Sequence, residues 1–186
     1  MQVLAATLSD AFERYRDQWP IQADTVDLFS RFLGSHADVF QREHAPGHFT
    51  GSAWLVSADG RRVLLTHHRK LDRWLQLGGH ADGDADLARV ALREAEEESG
   101  LRGLRVEPAI FDLDRHRIPA RGNEPEHWHY DVRFVVYAGE NEDFSVSEES
   151  IALAWRPIAQ MAQTPGDTPS LQRMAQRWLA GNHSLT

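Results

Sequence analysis

The stretch GGHADGDADLARVALREAEEESGL, residues 78–101, decides how this chain is read. Asp84 predicts an N-cap for a helix from about Ala85 to Ser99, and Gly100 stands where a left-handed C′ residue ends one. An α-helix turns about 100° per residue, so Glu94, Glu97 and Glu98 share an arc of about 100° while Glu96 points away. Ala88, Ala91, Leu92 and Ala95 form the neighbouring apolar stripe, which predicts docking on a sheet with the three carboxylates at its rim. Clustered like charges destabilise a helix by tenths of a kcal/mol per i,i+4 pair. They also sit at its C-terminal end, where the helix dipole disfavours anions. One reading of REAEEES is a solvated charged face. The other is a metal site, because Mg²⁺ takes a few carboxylates together with waters and phosphate oxygens.

The spacing favours the metal. Gly79, Arg93, Glu94, Glu97, Glu98, Gly100 and Leu101 fall on the positions of a pattern that resembles the Nudix box, GX₅EX₇REUXEEXGU, with U a bulky aliphatic residue. The likeness is close over the box and extends in general layout over residues 49–158, with residues 1–40 outside it. It implies an α/β fold: a Nudix-type α/β/α sandwich with a mixed sheet and a helical N-terminal extension. It further implies that Glu94, Glu97 and Glu98 ligate the metal with the Gly79 carbonyl, and that Glu97 and Glu98 are catalytic. Arg93 would hold the loop–helix–loop by pairing with a carboxylate. Gly100 and Leu101 would end the helix and anchor the next segment. The chain departs from the pattern at Ala85, where the early glutamate is expected, at Ala95 in the aliphatic position, and at Leu77, where many members carry proline. Asp84 and Asp86 flank Ala85.

Upstream, Leu4, Leu8, Phe12 and Tyr15 recur at helical spacing until Pro20, and Asp24 predicts the cap of a second helix carrying Leu28, Phe29, Phe32 and Leu33. Ala45-Pro46-Gly47 marks the turn into strand-like texture. Residues 1–45 therefore read as a helical extension and 46–186 as the main domain, one compact unit in all. Phe49–Ser57 and Arg61–His67 predict strands joined at Ala58-Asp59-Gly60, and Arg73–Leu77 a third, closed by Gly78-Gly79. Strands are expected at Arg105–Asp112, His127–Ala138 and Ala152–Arg156, and a closing helix at Pro169–Leu179. Along His127–Ala138, Trp128, Tyr130, Val132, Phe134 and Val136 share one face; His127, His129, Asp131 and Arg133 share the other.

Composition removes several classes of function. There is no cysteine among the 186 residues, so no disulfide, zinc ribbon or thiol nucleophile, as suits a reducing cytoplasm, the expected location. No stretch approaches the roughly 20 apolar residues of a membrane helix, and the N-terminus lacks a signal-peptide pattern. A net charge of −8 and a pI near 5.6 argue against a nucleic-acid polymer as partner. An acidic site can still handle phosphates through a cation: unit charges about 4 Å apart repel by roughly 4 kcal/mol at an effective dielectric near 20. Mg²⁺, with Mn²⁺ as a substitute, is the expected cofactor.

Outside the box, Glu149 lies six residues before Trp155 and resembles the extra carboxylate that many Nudix enzymes use as base or further ligand; an acidic solvated loop is the competing reading. His67-His68-Arg69-Lys70 precedes the box, and Arg69 is expected to grip substrate phosphates, with His68 and Lys70 in an exposed turn. His129 and Arg133 are expected to line the substrate site. His127-X-His129-X-Asp131 also suggests a cupin-like metal site, but no glutamate follows where a cupin needs it, which favours pocket lining or a hydrogen-bonded strand face. Trp74 and Trp128 are more at home in the core than stacked on a base. No GXXXXGK[ST] phosphate loop is present.

The expected activity is metal-dependent hydrolysis of the diphosphate linkage in a nucleoside diphosphate joined to another moiety: a nucleotide sugar, ADP-ribose or an NTP-like compound. The alternative is a Nudix-fold module that senses a nucleotide without turnover, which Ala85 favours and the intact Glu94, Glu97 and Glu98 oppose. A Nudix-fold isomerase finds no support outside the box. Selectivity is expected in residues 112–127 and the N-terminal helices, which also offer a surface for a homodimer.

Overall fold

Two amphipathic helices begin the chain, α1 (Gln2–Gln18) and α2 (Ala23–Leu33), separated by a single 3-10 turn at Pro20–Gln22. The break falls at the proline, which lacks an N–H to donate. Gln22, not Asp24, holds the N-cap position of α2; Asp24 lies in the first turn, where its charge suits the helix dipole. The computed structural model describes residues 2–122, 125–148, 150–164 and 168–181; Glu149 and the Leu4 side chain lie outside the described residues.

Among the described residues seven strands follow: β1 (Gly47–Val56), β2 (Arg62–His68), β3 (Arg73–Leu75), β4 (Leu77–His80), β5 (Arg105–Ile118), β6 (His127–Tyr137) and β7 (Ser150–Pro157). They form one mixed sheet. β1 runs parallel to β6 on one side, and on the other it pairs antiparallel with β4 and, at Val56, with β2. β2 pairs with β3 and β7, and β5 closes the far edge on β6. The run read as one strand over Arg73–Leu77 is two, because the chain changes partner at Gln76, from β2 to β1. Gly78-Gly79 therefore sit inside β4 rather than closing a strand. β5 continues past its expected end at Asp112, since its charged residues find partners across β6.

Helices cover both faces of the sheet. α1, α2 and α3 (Leu87–Ser99) pack on Phe49, Ala53, Leu55, Tyr130, Val132 and Val136. α4 (Ile158–Gln163) and α5 (Pro169–Ala180) pack on Trp54, Val56, Val63 and Val135. This is the α/β/α sandwich expected; the short α4 was not foreseen. Aromatic rings join the N-terminal helices to the sheet: Phe32 stacks on Tyr130 at 3.7 Å between centroids, and Phe29 meets the same ring edge-on at 5.3 Å. Truncating one such ring to alanine typically costs about 3–5 kcal/mol, so the extension is part of the core.

Alternation along β1 and β6 sends His48, Thr50, Ser52, His129, Asp131 and Arg133 to the face that also carries Trp54 and Val135. That polar half is closed by charge. Asp112 is fully buried and accepts from Arg133, Arg173 and Arg177; Asp114 pairs with Arg133 and Arg173. Burial alone would raise the Asp114 carboxyl, but His116, Arg133 and Arg173 outweigh it and hold the group below the usual range. Among the described residues, no helix is long and apolar enough to cross a membrane.

Candidate active site

α3 delivers the carboxylates. Asp86 supplies its N-cap, accepting from the Arg89 N–H at 3.1 Å, so the cap lies two residues after the one expected at Asp84. Asp84 instead accepts from the Asp86 N–H and pairs with the Arg89 side chain. The helix ends at Gly100, whose φ of 70° is the left-handed conformation read from the sequence. Its buried side is Leu87, Val90, Ala91, Ala95, Glu98 and Ser99; Ala88 and Leu92, expected in the stripe, are half-buried flanks. Leu101 is buried beside Ala95 and Leu77.

That orientation sets Glu94, Glu97 and Glu98 along one cavity of about 430 Å³, together with Gly78 and Gly79 of β4. Ligand pockets of roughly 300–1,000 Å³ hold a nucleotide-sized molecule. Glu98, only 8% exposed, accepts from the Gly78 N–H at 2.8 Å. Glu94 lies against Gly79, where a Cβ would sit 2.5 Å from the Glu94 Cδ. Arg93 donates to Glu94 Oε1 at 2.8 Å and to the His80 carbonyl at 3.1 Å, fastening α3 to the end of β4. Glu97 is exposed to the cavity. The donor set fits a hard divalent cation: the three carboxylates offer oxygen only, and the bare Gly79 backbone makes room for the Glu94 carboxylate.

The floor of the cavity is Asp131, which is 1% exposed. It accepts from Thr50 and Ser52 on one oxygen, at 2.9 and 2.7 Å, and from Gln76 and Arg133 on the other, at 3.2 and 2.7 Å. His80 and His129 line the wall next to it, with His116 and Ile118 of β5. Behind them lies His48, 1% exposed, whose ring nitrogens have no hydrogen-bond partner. Burial first, then the neighbouring His80 and His127, pushes His48 down to about 3. Burial and the His48 and His116 rings push His129 down to about 2.

Other expectations are redistributed. Arg133 does not reach the cavity: it is 2% exposed, and Asp131, Asp112 and Asp114 take its guanidinium, so it positions the floor instead of gripping substrate. Arg69 is absent from the lining and donates to the carbonyls of Glu148 and Ser150. Its neighbours His68 and Lys70, read as an exposed turn, line the cavity instead. Arg42 enters from the N-terminal extension, held by Asp82. Trp74 stacks with His67 and Arg156, and Trp128 beneath Arg115; neither lines the cavity. Sequence reasoning missed His48, His80, Gln76 and Arg42; the one local signal was the register of β1 with its neighbours.

Comparison with known proteins agrees with this architecture. A family model for the NUDIX domain matches residues 48–178. The chain is 31% identical over 124 residues to "Putative 8-oxo-dGTP diphosphatase 3" of Mycobacterium tuberculosis, covering 62% of this chain and 55% of that protein. It therefore spans about half the length of the curated relative it matches. Among solved structures, an Ap4A hydrolase binary complex from C. elegans superposes with a TM-score of 0.56 at 16% identity, over 71% of this chain and 95% of that one. The MutT protein of Methanosarcina mazei Go1 gives 0.55 at 18% identity, over 73% and 94%. These identities speak for the fold alone. With the box residues gathered on one cavity and the family model spanning most of the chain, this protein belongs to the Nudix family.

Proposed function

We propose that this protein is a divalent-metal-dependent hydrolase that cleaves the diphosphate linkage of a nucleoside diphosphate joined to another moiety. The observation that carries the reading is the placement of Glu94, Glu97 and Glu98 with Gly79 on one nucleotide-sized cavity. Glu94, Glu97, Glu98 and the Gly79 carbonyl would hold Mg²⁺ or Mn²⁺. Bound there, the ion would neutralise charge on the diphosphate and lower the pKa of a water so that hydroxide is available as nucleophile.

The chain's own residues do the rest. Gly78 and Arg93 fix the carboxylates of Glu98 and Glu94 by hydrogen bonds, while the exposed Glu97 is free to turn toward the water. Lys70 and Arg42 bring positive charge to a cavity that also holds four carboxylates, Glu94, Glu97, Glu98 and Asp131, and there they would meet phosphate oxygens. Ile118 offers apolar surface to the remainder of the ligand. Glu149 is proposed as general base or further ligand; its neighbours Glu148 and Ser150 are held by Arg69, and Ser150 hydrogen-bonds Thr66 of the cavity wall.

The test is a panel of nucleotide sugars, dinucleotides, ADP-ribose and NTPs, assayed with Mg²⁺ and Mn²⁺ for phosphatase-sensitive products. A Glu97→Gln, Glu98→Gln variant should lose at least about 10²-fold in turnover, since supporting contacts alone are worth 10–100-fold at metal sites. Wild-type rates from that variant on every accepted substrate would sink the proposal. Binding of a panel member by calorimetry with no product over hours would point instead to the nucleotide-sensing module.

A further inference from the structure

We infer that His48, His80 and His129 form a second metal centre, separate from the glutamates, for a borderline transition ion such as Zn²⁺ or Fe²⁺. Each of the three offers a ring nitrogen, and these atoms lie within 4.8 Å of one another. Nitrogens on a tetrahedral zinc, each about 2.0–2.1 Å from the ion, sit roughly 3.4 Å apart. The trio therefore needs side-chain adjustments on the order of 1 Å, which rotamer changes provide without moving backbone.

The backbone frame is fixed by pairing. His48 and His129 are directly opposed across the parallel β1–β6 ladder, and His80 opposes Thr50 on the other side of β1, two residues along and on the same face as His48. Three strands thus hold three imidazoles over one point. His48 makes the case for a ligand: it is 1% exposed, it lies between the rings of His80 and His129 at 5.0 and 4.8 Å, and neither of its nitrogens is hydrogen-bonded. A buried polar group left in that condition signals a missing ion or water. No hydrogen-bond donor or acceptor belonging to the described protein residues meets that need.

The surroundings support metal in preference to water. His127 holds Pro125 O through Nδ1 at 2.9 Å and approaches His129 Nε2 at 3.2 Å, and His116 pairs with Asp114 while its ring abuts His129 at 5.4 Å. Outer partners of this kind fix ring orientation at metal sites. The HXH pair of β6 contributes one ligand, not two, and Asp131 is already engaged by four donors. Nitrogen donors select Zn, Fe, Ni or Cu over Mg, opposite to the carboxylate site. His80 and His129 line the cavity and His48 does not, so an ion on the trio keeps its open position toward the cavity. There it takes an anionic oxygen of a bound ligand, as three-histidine sites with a free position do.

The inference does not rest on the hydrolase reading, and the test separates the two. Full-length protein stripped by chelator is titrated with Co²⁺ and Zn²⁺, followed by visible absorption and by elemental analysis after desalting in excess Mg²⁺. One Co²⁺ per chain should remain, with the absorption of nitrogen ligation, in the wild type and in the Glu97→Gln, Glu98→Gln variant alike. His48→Gln should weaken Co²⁺ by at least 10²-fold. His80→Ala, at a half-buried position, should do the same with circular dichroism and melting temperature unchanged, which covers the case of a His48 variant that fails to fold. Co²⁺ retained at wild-type affinity by folded His80→Ala, or lost with the two glutamates, or displaced by Mg²⁺, would overturn it.

Discussion

Replacing Gly79 by alanine separates the proposed metal site from the fold in one step. The Gly79 φ is negative, so alanine is conformationally allowed, and removing glycine from the unfolded chain is worth about 0.4–1 kcal/mol in favour of folding. The added Cβ would lie 2.5 Å from Glu94 Cδ and 2.9 Å from Oε1. What must move is the end of a flexible side chain. Moving it gives up the Arg93–Glu94 pair, whose partners are 37% and 17% exposed; a pair of that exposure contributes about 0–1 kcal/mol. Stability should therefore change by less than about 1 kcal/mol, read from urea denaturation followed by tryptophan fluorescence. If Glu94 holds the ion as proposed, the site would lose a ligand position, so Mn²⁺ affinity by calorimetry and turnover by phosphate release should each fall about 10–100-fold, equivalent to roughly 1.4–2.8 kcal/mol. Gly78→Ala is the contrast, because there the fold itself should lose stability. Its Cβ would meet Ser52 Cα at 2.7 Å and the Gly51 carbonyl oxygen at 2.8 Å, both backbone, and such overpacking costs about 1–3 kcal/mol or more. A Gly79→Ala protein with wild-type Mn²⁺ affinity and turnover would refute the placement of Glu94 on the ion.

Two further outcomes concern the buried charges. Asp112→Asn should destabilise the protein by about 3–5 kcal/mol in urea denaturation, because Arg133 and Arg177, 3% and 7% exposed, lose their shared carboxylate inside the protein; a loss under 1 kcal/mol would mean the network is not holding α5 to the sheet. Tyr15 is pushed up to about 12 by burial and by the Asp112 charge, against the opposing pull of Arg177. A group raised in the folded state contributes stability that is complete below its unfolded pKa of about 10 and lost as pH rises through 12, here roughly 3 kcal/mol. Alkaline melting curves should show that loss in the wild type and not in Tyr15→Phe, and identical limbs in the two proteins would contradict it.

The parts of this molecule that local rules govern were legible in its sequence. Glu94, Glu97 and Glu98 share a helix, so a fixed turn per residue places them together whatever surrounds them. Gly100 and the turn at Gly60 are likewise set within a few residues, by left-handed φ values of 70° and 66°. Legibility fails where a partner distant in sequence decides. The chain from Arg73 to His80 changes neighbour at Gln76, and nothing local distinguishes β1 from β2 as partner. Arg133 carries a charge on a strand face, which reads as substrate contact until three aspartates from two strands are found around it. Asp84 and Asp86 are equivalent as caps in sequence; only the geometry of the Arg89 N–H chooses Asp86. His48, His80 and His129 lie far apart in the chain and acquire meaning only through the register of three strands.

The acidic excess of the chain is not spread evenly, and its distribution fits the proposed chemistry. In the buried network, Asp112, Asp114 and Asp131 face Arg133, Arg173 and Arg177, so each carboxylate has a guanidinium and the assembly is close to neutral. A balanced group of this kind adds little net stability but resists displacement, because breaking one member strands another in low dielectric. Through Asp131 that stiffness reaches the cavity floor, one hydrogen bond from Thr50, Ser52 and Gln76. The cavity rim is different. Glu94, Glu97 and Glu98 face it with Lys70, while Arg42 is already bound to Asp82 and Arg93 to Glu94. A diphosphate entering there would meet negative charge unless a cation precedes it, and Glu97, the most exposed of the three carboxylates, has room to accommodate that cation. The neutral network fixes the site in space, and the acidic rim is what the proposed metal dependence rests on.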